Sequence, residues 1–314
     1  MNHAVRRSLA VTASAATLVA LLVACSVPTE TPVPTSSAPS GPVLDPSAAV
    51  PAAIVDPAAA ALLPENITAK GNLLYATEGG YPPFAYYAAD QKTLQGFGFD
   101  LTTAIAQALG VDPTFEVTTF ANFIPGVTSG KYDVAVSGIY DTTERQGSVD
   151  FVDYVKDGAL TLVKQGNPEN LTPDTLCGKS VAAAAGTASA TKELPAKSDA
   201  CTKDGKDAID IQVFPGAPES LLALISGRVS AFTTGAATGY YQLTQTGGQV
   251  EPAGDAYNLA PVGLAIQKGS PLTAAIQAGL QAVIDQGVYD KILTKWNLTA
   301  SAVDCATINA ATSC

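Results

Sequence analysis

Between about residue 66 and residue 300, short apolar runs of strand composition alternate with runs of helical period, and the alternation comes in two sets. In the first set, 73–77, 114–118 and 132–138 read as strands. The stretch 99–109 reads as a helix with Leu101, Ile105, Ala108 and Leu109 on one face and Gly110 as its stop. A short helix at 122–128 ends at Gly130, and a further turn covers 143–147. The second set places strands at 159–164, 180–184, 209–214 and 229–233. Its helices are one that starts at Thr187 and stops at Pro195, and an apolar one at 218–226 that ends at Gly227. A strand at 261–267, a long helix at 271–285 and a closing segment at 289–296 complete the pattern. Strands joined through helices form parallel sheets in an α/β layer architecture, and two such sets predict two lobes. No solenoid period is present.

The residues before this pattern read differently. Arg6 and Arg7 precede an apolar run over 9–24, and Leu22-Val23-Ala24-Cys25 looks like a bacterial lipobox, in which the cysteine is acylated and becomes the new N-terminus. The other reading, a membrane anchor helix, asks for more length than this run has. Residues 1–24 are therefore expected to be a lipoprotein signal peptide, although Arg6-Arg7 does not by itself separate the general from the twin-arginine export route. Residues 25–65 carry nine prolines and many Ala, Ser and Thr. Such a segment cannot bury enough surface to fold, and in extended form it reaches on the order of 100 Å. It is expected to be a tether between a lipid anchor at Cys25 and a globular body.

Composition narrows the function. The formal charge is −11, from 17 basic and 28 acidic residues, which argues against nucleic acid, whose phosphates need clustered basic side chains. Cleavage before Cys25 removes Arg6 and Arg7 and no acid, so the mature chain is more negative still. The single histidine, His3, lies in the leader. A mature chain without His has no Ser–His–Asp or Cys–His catalysis and no imidazole metal site. No metal and no cofactor is expected.

Four cysteines remain after Cys25: Cys177, Cys201, Cys305 and Cys314. An even number in an exported chain suggests two disulfides, with three connectivities open. Pairing Cys177–Cys201 and Cys305–Cys314 closes each loop without crossing the body and is the expectation. A four-thiolate metal site is disfavoured because no C-x-x-C pair occurs.

Three stretches then resemble a known family: Tyr81-Pro82-Pro83-Phe84; Gly96-Phe97-Gly98-Phe99-Asp100-Leu101; and Phe123-Ile124-Pro125 through Ser129 to Gly138 and on to Thr142-Thr143-Glu144-Arg145. Gly186-Thr187, Ser226-Gly227-Arg228-Val229 and Tyr289-Asp290-Lys291-Ile292 before Trp296 extend the likeness over about 70–297. The chain is similar to the solute-binding proteins, family 3, of ABC transporters, which bind polar amino acids outside the cytoplasmic membrane. The resemblance implies a two-lobed periplasmic-binding-protein-like fold of type II, with two α/β lobes joined by crossing hinge strands. Lobe 1 would be discontinuous, 66–158 plus 256–300, and lobe 2 would be 159–255. Residues 301–314 would form a tail pinned by Cys305–Cys314, while Cys177–Cys201 would staple part of lobe 2. The partners implied are a small polar solute, a transporter permease and the lipid membrane through acylated Cys25. The protein would be a monomer on the extracytoplasmic face of the cell membrane.

The likeness also implies roles for residues. Arg145 would hold the ligand carboxylate, since a guanidinium is always charged and grips a carboxylate through two parallel hydrogen bonds. Thr187, opening a helix after the 180–184 strand, would clamp the same carboxylate from lobe 2. Ser137 and Gly138 fall in the binding set, with Gly138 offering backbone groups. Tyr81 and Phe120 stand where aromatics meet the ligand, and Phe84 is read as core support. Glu78 would pair with a cationic side chain. Two positions depart from the family pattern. An acid that pairs with the ligand ammonium is replaced by Gly235, and a small hydroxyl is replaced by Tyr140, whose own hydroxyl could donate; Asp141 beside it is the candidate for the missing charge. A ligand with a carboxylate and an atypical cationic part, betaine-like or guanidino, held by Glu78, Tyr81 and Phe120, fits this set. Two further readings stand beside the importer: a solute-sensing surface lipoprotein without transport, and a dehydratase-like enzyme on the same fold. For the enzyme, Glu78, Glu116 and Asp141 are the acids on hand, but no spacing specifies a pair. The chain is expected not to be an enzyme.

Overall fold

The computed structural model describes residues 46–311. The expected leader, Cys25, the first part of the expected tether and Cys314 lie outside the described residues. Among the described residues, no helix is long and apolar enough to cross a membrane.

One ten-stranded sheet organises the chain. Its first wing pairs Asp112–Val117, Asn72–Thr77 and Val134–Ala135 in parallel. Its second wing pairs Ala231–Gly235, Ser180–Ala184 and Asp210–Phe214 in parallel. Between the wings run two long antiparallel strands, Val149–Lys164 and Tyr257–Gln267. The Val149–Lys164 strand changes neighbours along its length. Residues 149–157 pair with 260–267, and residues 159–163 pair with 231–235. This is the two-lobed α/β fold with crossing hinge strands. The 149–158 half of that strand was not read from the sequence, because its acids at 150, 153 and 157 break the apolar run.

Helices Phe97–Leu109 and Leu272–Asp285 cover the first wing; Leu101, Ile105, Ile276 and Leu280 are fully buried between them and the sheet. Val288–Lys295 closes this lobe. The Trp296 indole N–H donates to Asp100 Oδ2 at 2.8 Å, and Lys295 Nζ pairs with the same oxygen at 2.8 Å. Helices Leu194–Lys203, Ala217–Ser226 and Ala236–Gln245 serve the second wing.

Three expectations change. The helix after Thr187 does not stop at Pro195: a wide turn at Ser189–Glu193 feeds directly into Leu194–Lys203, and the proline stands in its first turn, where a missing N–H costs no helical hydrogen bond. The strand expected over 132–138 contracts to Val134–Ala135. The body begins before residue 66, where the expected tether was to end. Gln286 makes a two-way clamp on Ile54, accepting from its N–H at 2.8 Å and donating to its carbonyl at 2.9 Å, and Gln107 Oε1 accepts from the Ala53 N–H at 3.0 Å. Helices Pro57–Ala60 and Glu65–Lys70 then pack Ala59 and Ile67 into the core. Side-chain amides that satisfy an extended backbone are invisible to composition, which sees only proline and alanine.

At the other end, Thr307–Ile308 adds as a strand to Val152 and Asp153. Asn309 Oδ1 accepts from the Phe151 N–H at 2.9 Å, and its amide donates to Asp150 at 3.0 Å. Cys305 is disulfide-bonded; the expected partner, Cys314, lies outside the described residues. Cys177–Cys201 forms as expected, with a sequence separation of 24. Closing a loop of that length restrains the unfolded chain by about 3 kcal/mol. The Cys177→Ser/Cys201→Ser double variant is therefore expected to lose about that much stability in denaturant unfolding; an unchanged midpoint would mean that the staple restrains nothing.

Candidate functional site

The expected site residues come from both wings and the hinge, and most of them meet. Tyr81 is 5% exposed, and its ring lies against Gly138, where an added Cβ would come 2.8 Å from the ring edge. On its far side the Tyr81 hydroxyl reaches Gly235, 2.8 Å from the place of a Cβ. Both glycines are thus sterically required, one on each lobe, by the same phenol. Phe84 stacks on Tyr81 with ring centroids 5.9 Å apart and is fully buried, as core support should be.

Arg145 stands in the short helix Thr143–Gln146, whose start is capped by the Thr142 hydroxyl accepting from the Arg145 N–H. Its Nη1 donates to the Tyr140 carbonyl at 2.9 Å, and its Nη2 donates to the Gly186 carbonyl at 3.0 Å. The first belongs to the first wing and the second to the turn after the Ser180–Ala184 strand, so one guanidinium ties both lobes. The Phe120 ring lies 5.5 Å from its Cζ, a cation–π distance. Burial pulls the Arg145 pKa below its ordinary value, yet a guanidinium remains charged at neutral pH. Among the described residues it has no carboxylate within ion-pair distance. Three of its five N–H groups remain for another acceptor.

The lobes touch beside it. Gly186, at φ +79°, needs glycine for its left-handed backbone, and a Cβ there would lie 3.3 Å from Ala121 and 3.4 Å from Phe120. Thr187 follows, but its hydroxyl is occupied in its own turn, donating to the Ala184 carbonyl at 2.7 Å and accepting from the Ala190 N–H at 3.3 Å. The contact across the lobes at this turn is the Gly186 carbonyl.

Glu78 is partly buried beyond the strand Asn72–Thr77 and accepts from the Ser137 hydroxyl at 2.7 Å. Burial raises its pKa to about 7, against the lowering effect of that hydrogen bond. Tyr140 is fixed to the hinge: its hydroxyl donates to the Gly158 carbonyl at 2.6 Å, so that proton is spent within the protein. Asp141 does not supply a charge beside Gly235. Its Oδ1 accepts from Gln146 at 2.7 Å, and its other side faces Asp153 beneath the C-terminal tail. Glu116 pairs with Lys131 at 2.6 Å and accepts from the Tyr132 hydroxyl at 2.9 Å on the outside of the first wing, away from the other site residues.

One buried acid beside these residues was not singled out by the sequence reading. Asp157 in the hinge strand is 6% exposed, and its Oδ2 lies 2.9 Å from the place of a Cβ on Gly235. Its Oδ1 accepts from the Ala237 N–H at 3.0 Å, at the start of the Ala236–Gln245 helix. Burial raises its pKa to about 6. The only signal in the sequence is an acid followed by glycine inside an otherwise apolar strand. A cavity of about 690 Å³ is lined by Tyr140, Thr142, Lys192, Glu193 and Lys197 and does not include Arg145 or Phe120. Among the described residues no His, Cys, Asp and Glu group is placed to hold a metal ion.

Residues 73–299 match the bacterial extracellular solute-binding proteins, family 3. The arginine-binding protein ArgT of Corynebacterium glutamicum is 30% identical over 249 residues, 79% of this chain and 82% of that protein. The L-cystine-binding protein TcyJ of Escherichia coli K12 is 25% identical over 234 residues, 74% of this chain and 84% of that protein. An ancestral arginine-binding protein bound to arginine superposes with a TM-score of 0.66 at 32% identity, over 72% of this chain and 98% of that structure.

The raised carboxyls set the pH dependence of the ligand-free fold. Between its ordinary value and its raised value, each group is protonated when folded and ionised when unfolded, so folding stability falls as pH rises through that window. Glu78 at about 7, with Asp153 and Asp157 at about 6, all act in this sense. The ligand-free protein is expected to melt at a higher temperature at about pH 5 than at about pH 7.5, with Glu78→Gln flattening the difference. Calorimetric melting that rises steadily with pH over this range would place these carboxyls in solvent instead.

Proposed function

The chain belongs to the bacterial extracellular solute-binding proteins, family 3, and from that membership we propose that it is the substrate-binding lipoprotein of an ABC importer, closing two lobes on a small carboxylate-bearing solute. The observation that carries this reading is Arg145. Its guanidinium is charged, partly buried and held by one backbone carbonyl from each lobe. A carbonyl offers only partial charge, so a cation in that position is completed by an anion, and its free N–H groups present the geometry a carboxylate takes. Because both lobes contribute to holding Arg145, anion binding there and lobe closure are coupled, and the closed form is what a permease would recognise.

In this reading lobe 1 is 66–158 plus 256–300 and lobe 2 is 159–255. The change of strand partners around Gly158 supports that boundary. Tyr81, Phe120, Ser137 and Gly138 line the solute, Glu78 takes a cationic group, and Gly235 and Tyr140 shape the wall between the lobes. Thr187 serves through the turn it stabilises. Acylated Cys25 anchors the monomer to the extracytoplasmic face through a tether that ends near Ala53, where the chain docks onto lobe 1. The names of the relatives support an amino acid as the solute.

Isothermal titration calorimetry with a panel of amino acids and amines tests this. At least one carboxylate-bearing member should bind tightly, and Arg145→Ala should cost roughly 2–5 kcal/mol of its binding free energy. Tight binding of an amino acid that survives Arg145→Ala would sink the scheme.

A further inference from the structure

Two buried carboxyls meet beside the turn that carries Arg145. Asp141 is 6% exposed, and Asp153, in the hinge strand Val149–Lys164, is 1% exposed. Each commits one oxygen to donors from its own side. Asp141 Oδ1 accepts from Gln146 at 2.7 Å. Asp153 Oδ2 accepts from the Thr307 hydroxyl at 3.1 Å and from the Ala310 N–H at 2.9 Å. The other two oxygens, Asp141 Oδ2 and Asp153 Oδ1, are buried and find no donor among the described residues. The two side chains are within hydrogen-bond reach of each other, and the Ala310 N–H lowers the pKa of both. One shared N–H does not neutralise two carboxylates. A proton on one of them does, because it turns their repulsion into a short, charge-assisted hydrogen bond.

We infer that Asp141 and Asp153 share one proton, and that this proton latches the C-terminal tail and the Arg145 turn to the hinge strand, so that both loosen as pH rises. The pair joins distant parts of the chain. Gln146, the donor to Asp141, neighbours Arg145 in the Thr143–Gln146 helix. The second crossing strand sets Gly263 against Asp153 at a register shift, and a Cβ there would come 2.9 Å from Oδ1. That side of the pair is therefore closed by bare backbone. The tail reaches Asp153 through two consecutive left-handed residues, Asn309 at φ 54° and Ala310 at φ 56°. Alanine disfavours this conformation, so the turn lasts only while its surroundings hold it. Those surroundings are Asp153 and the Asn309 side chain. Upstream the tail is fixed independently. Cys305 is disulfide-bonded, Gln281 accepts from the Ala306 N–H at 3.1 Å, and Gln277 donates to the Ala306 carbonyl at 3.0 Å. The part that opens is thus 307–311.

The charged and titratable groups around the pair do not replace the proton. Arg145 acts on Asp141 from its own turn but makes no ion pair with it among the described residues. On the hinge strand, Asp150 is taken by Lys268 at 3.1 Å and by the Asn309 amide. Tyr154 is a neutral phenol whose hydroxyl donates to the Ser137 carbonyl. Residues 306–311 of the tail and 260–266 of the second crossing strand carry no titratable side chain. Burial first, and then the charge of Asp141, raise Asp153 to about 6, and burial raises Asp141 as well. A carboxyl whose pKa is higher in the docked than in the open state contributes stability that is complete in acid and is lost as pH rises through the docked value. The latch is therefore closed near pH 5 and weakened near pH 7.5.

Amide hydrogen exchange on the full-length protein tests this, with EDTA present so that no metal cation stands in for the proton. After correction for intrinsic exchange rates, the amides of 307–311 are expected to open about tenfold more readily at about pH 7.5 than at about pH 5. That is the ratio given over this range by a carboxyl raised from the ordinary aspartate value to about 6. Residues 141–147 should change in the same direction. Asp141→Asn puts a permanent amide donor in place of the proton. Asp153→Asn does so from the other side and keeps an acceptor for Thr307 and Ala310. In each variant the opening of 307–311 should differ by less than about twofold between the two conditions. Equal opening of 307–311 in the wild type at both pH values overturns the inference. So does a variant that keeps the tenfold change, or a tail that responds while 141–147 does not. The wild-type comparison decides the matter even if neither variant folds.

Discussion

One strand, Val149–Lys164, holds this molecule together and also builds its site. Its first part completes the sheet of one lobe, and its last part begins the sheet of the other. The second crossing strand, Tyr257–Gln267, pairs with it through two register shifts. These lie between Tyr257 and Ala260 and between Val262 and Gly263, at the region where a hinge must bend. Hydrogen bonds thus run from one lobe into the other along a shared ladder. The C-terminal Thr307–Ile308 segment and the Asn309 side chain fasten the lobe 1 half of the same strand. The docked N-terminal segment is clamped to helices of that lobe by Gln107 and Gln286. Both ends of the described residues thus pack onto the same wing of the sheet.

The charges of the site are placed against the ordinary preference of a folded core. Arg145, Glu78 and Asp157 are each held mainly by neutral groups: backbone carbonyls, a serine hydroxyl and a helix N–H. Elsewhere the same chain satisfies its charges directly. Asp100 takes both Lys295 and the Trp296 indole, and Glu116 takes Lys131. Burying one charge against partial dipoles leaves a residual cost that an oppositely charged ligand removes. The raised pKa values of Glu78 and Asp157 express that cost as a preference for the neutral form.

Glycine does as much work here as the charged residues. Gly138 admits the Tyr81 ring, Gly235 admits its hydroxyl and the Asp157 carboxylate, and Gly186 lets the lobe 2 turn bring its carbonyl to Arg145 while pressing on Phe120. Each is a place where a Cβ would push the lobes or their contents apart.

The sequence by itself determined the class of fold, because alternating strand and helix periods permit only covered parallel sheets, and glycine stops such as Gly110 and Gly227 fall at left-handed helix ends in the structure. A resemblance carried by short motifs pointed to Arg145, Tyr81, Phe120 and Gly138, which the fold brings together in pairs, Tyr81 on Gly138 and Phe120 beside Arg145, and the short spacing of Cys177 and Cys201 pointed to their staple. The tertiary structure decided what depends on distance across the chain: that Asp157 fills the space before Gly235, that Tyr140 spends its proton on the hinge, that Asp141 faces the tail, and that proline-rich residues near Ala53 are ordered by two glutamines. No periodicity reports these, because a strand pattern says which face a residue occupies but not what a strand from the other half of the chain brings to meet it.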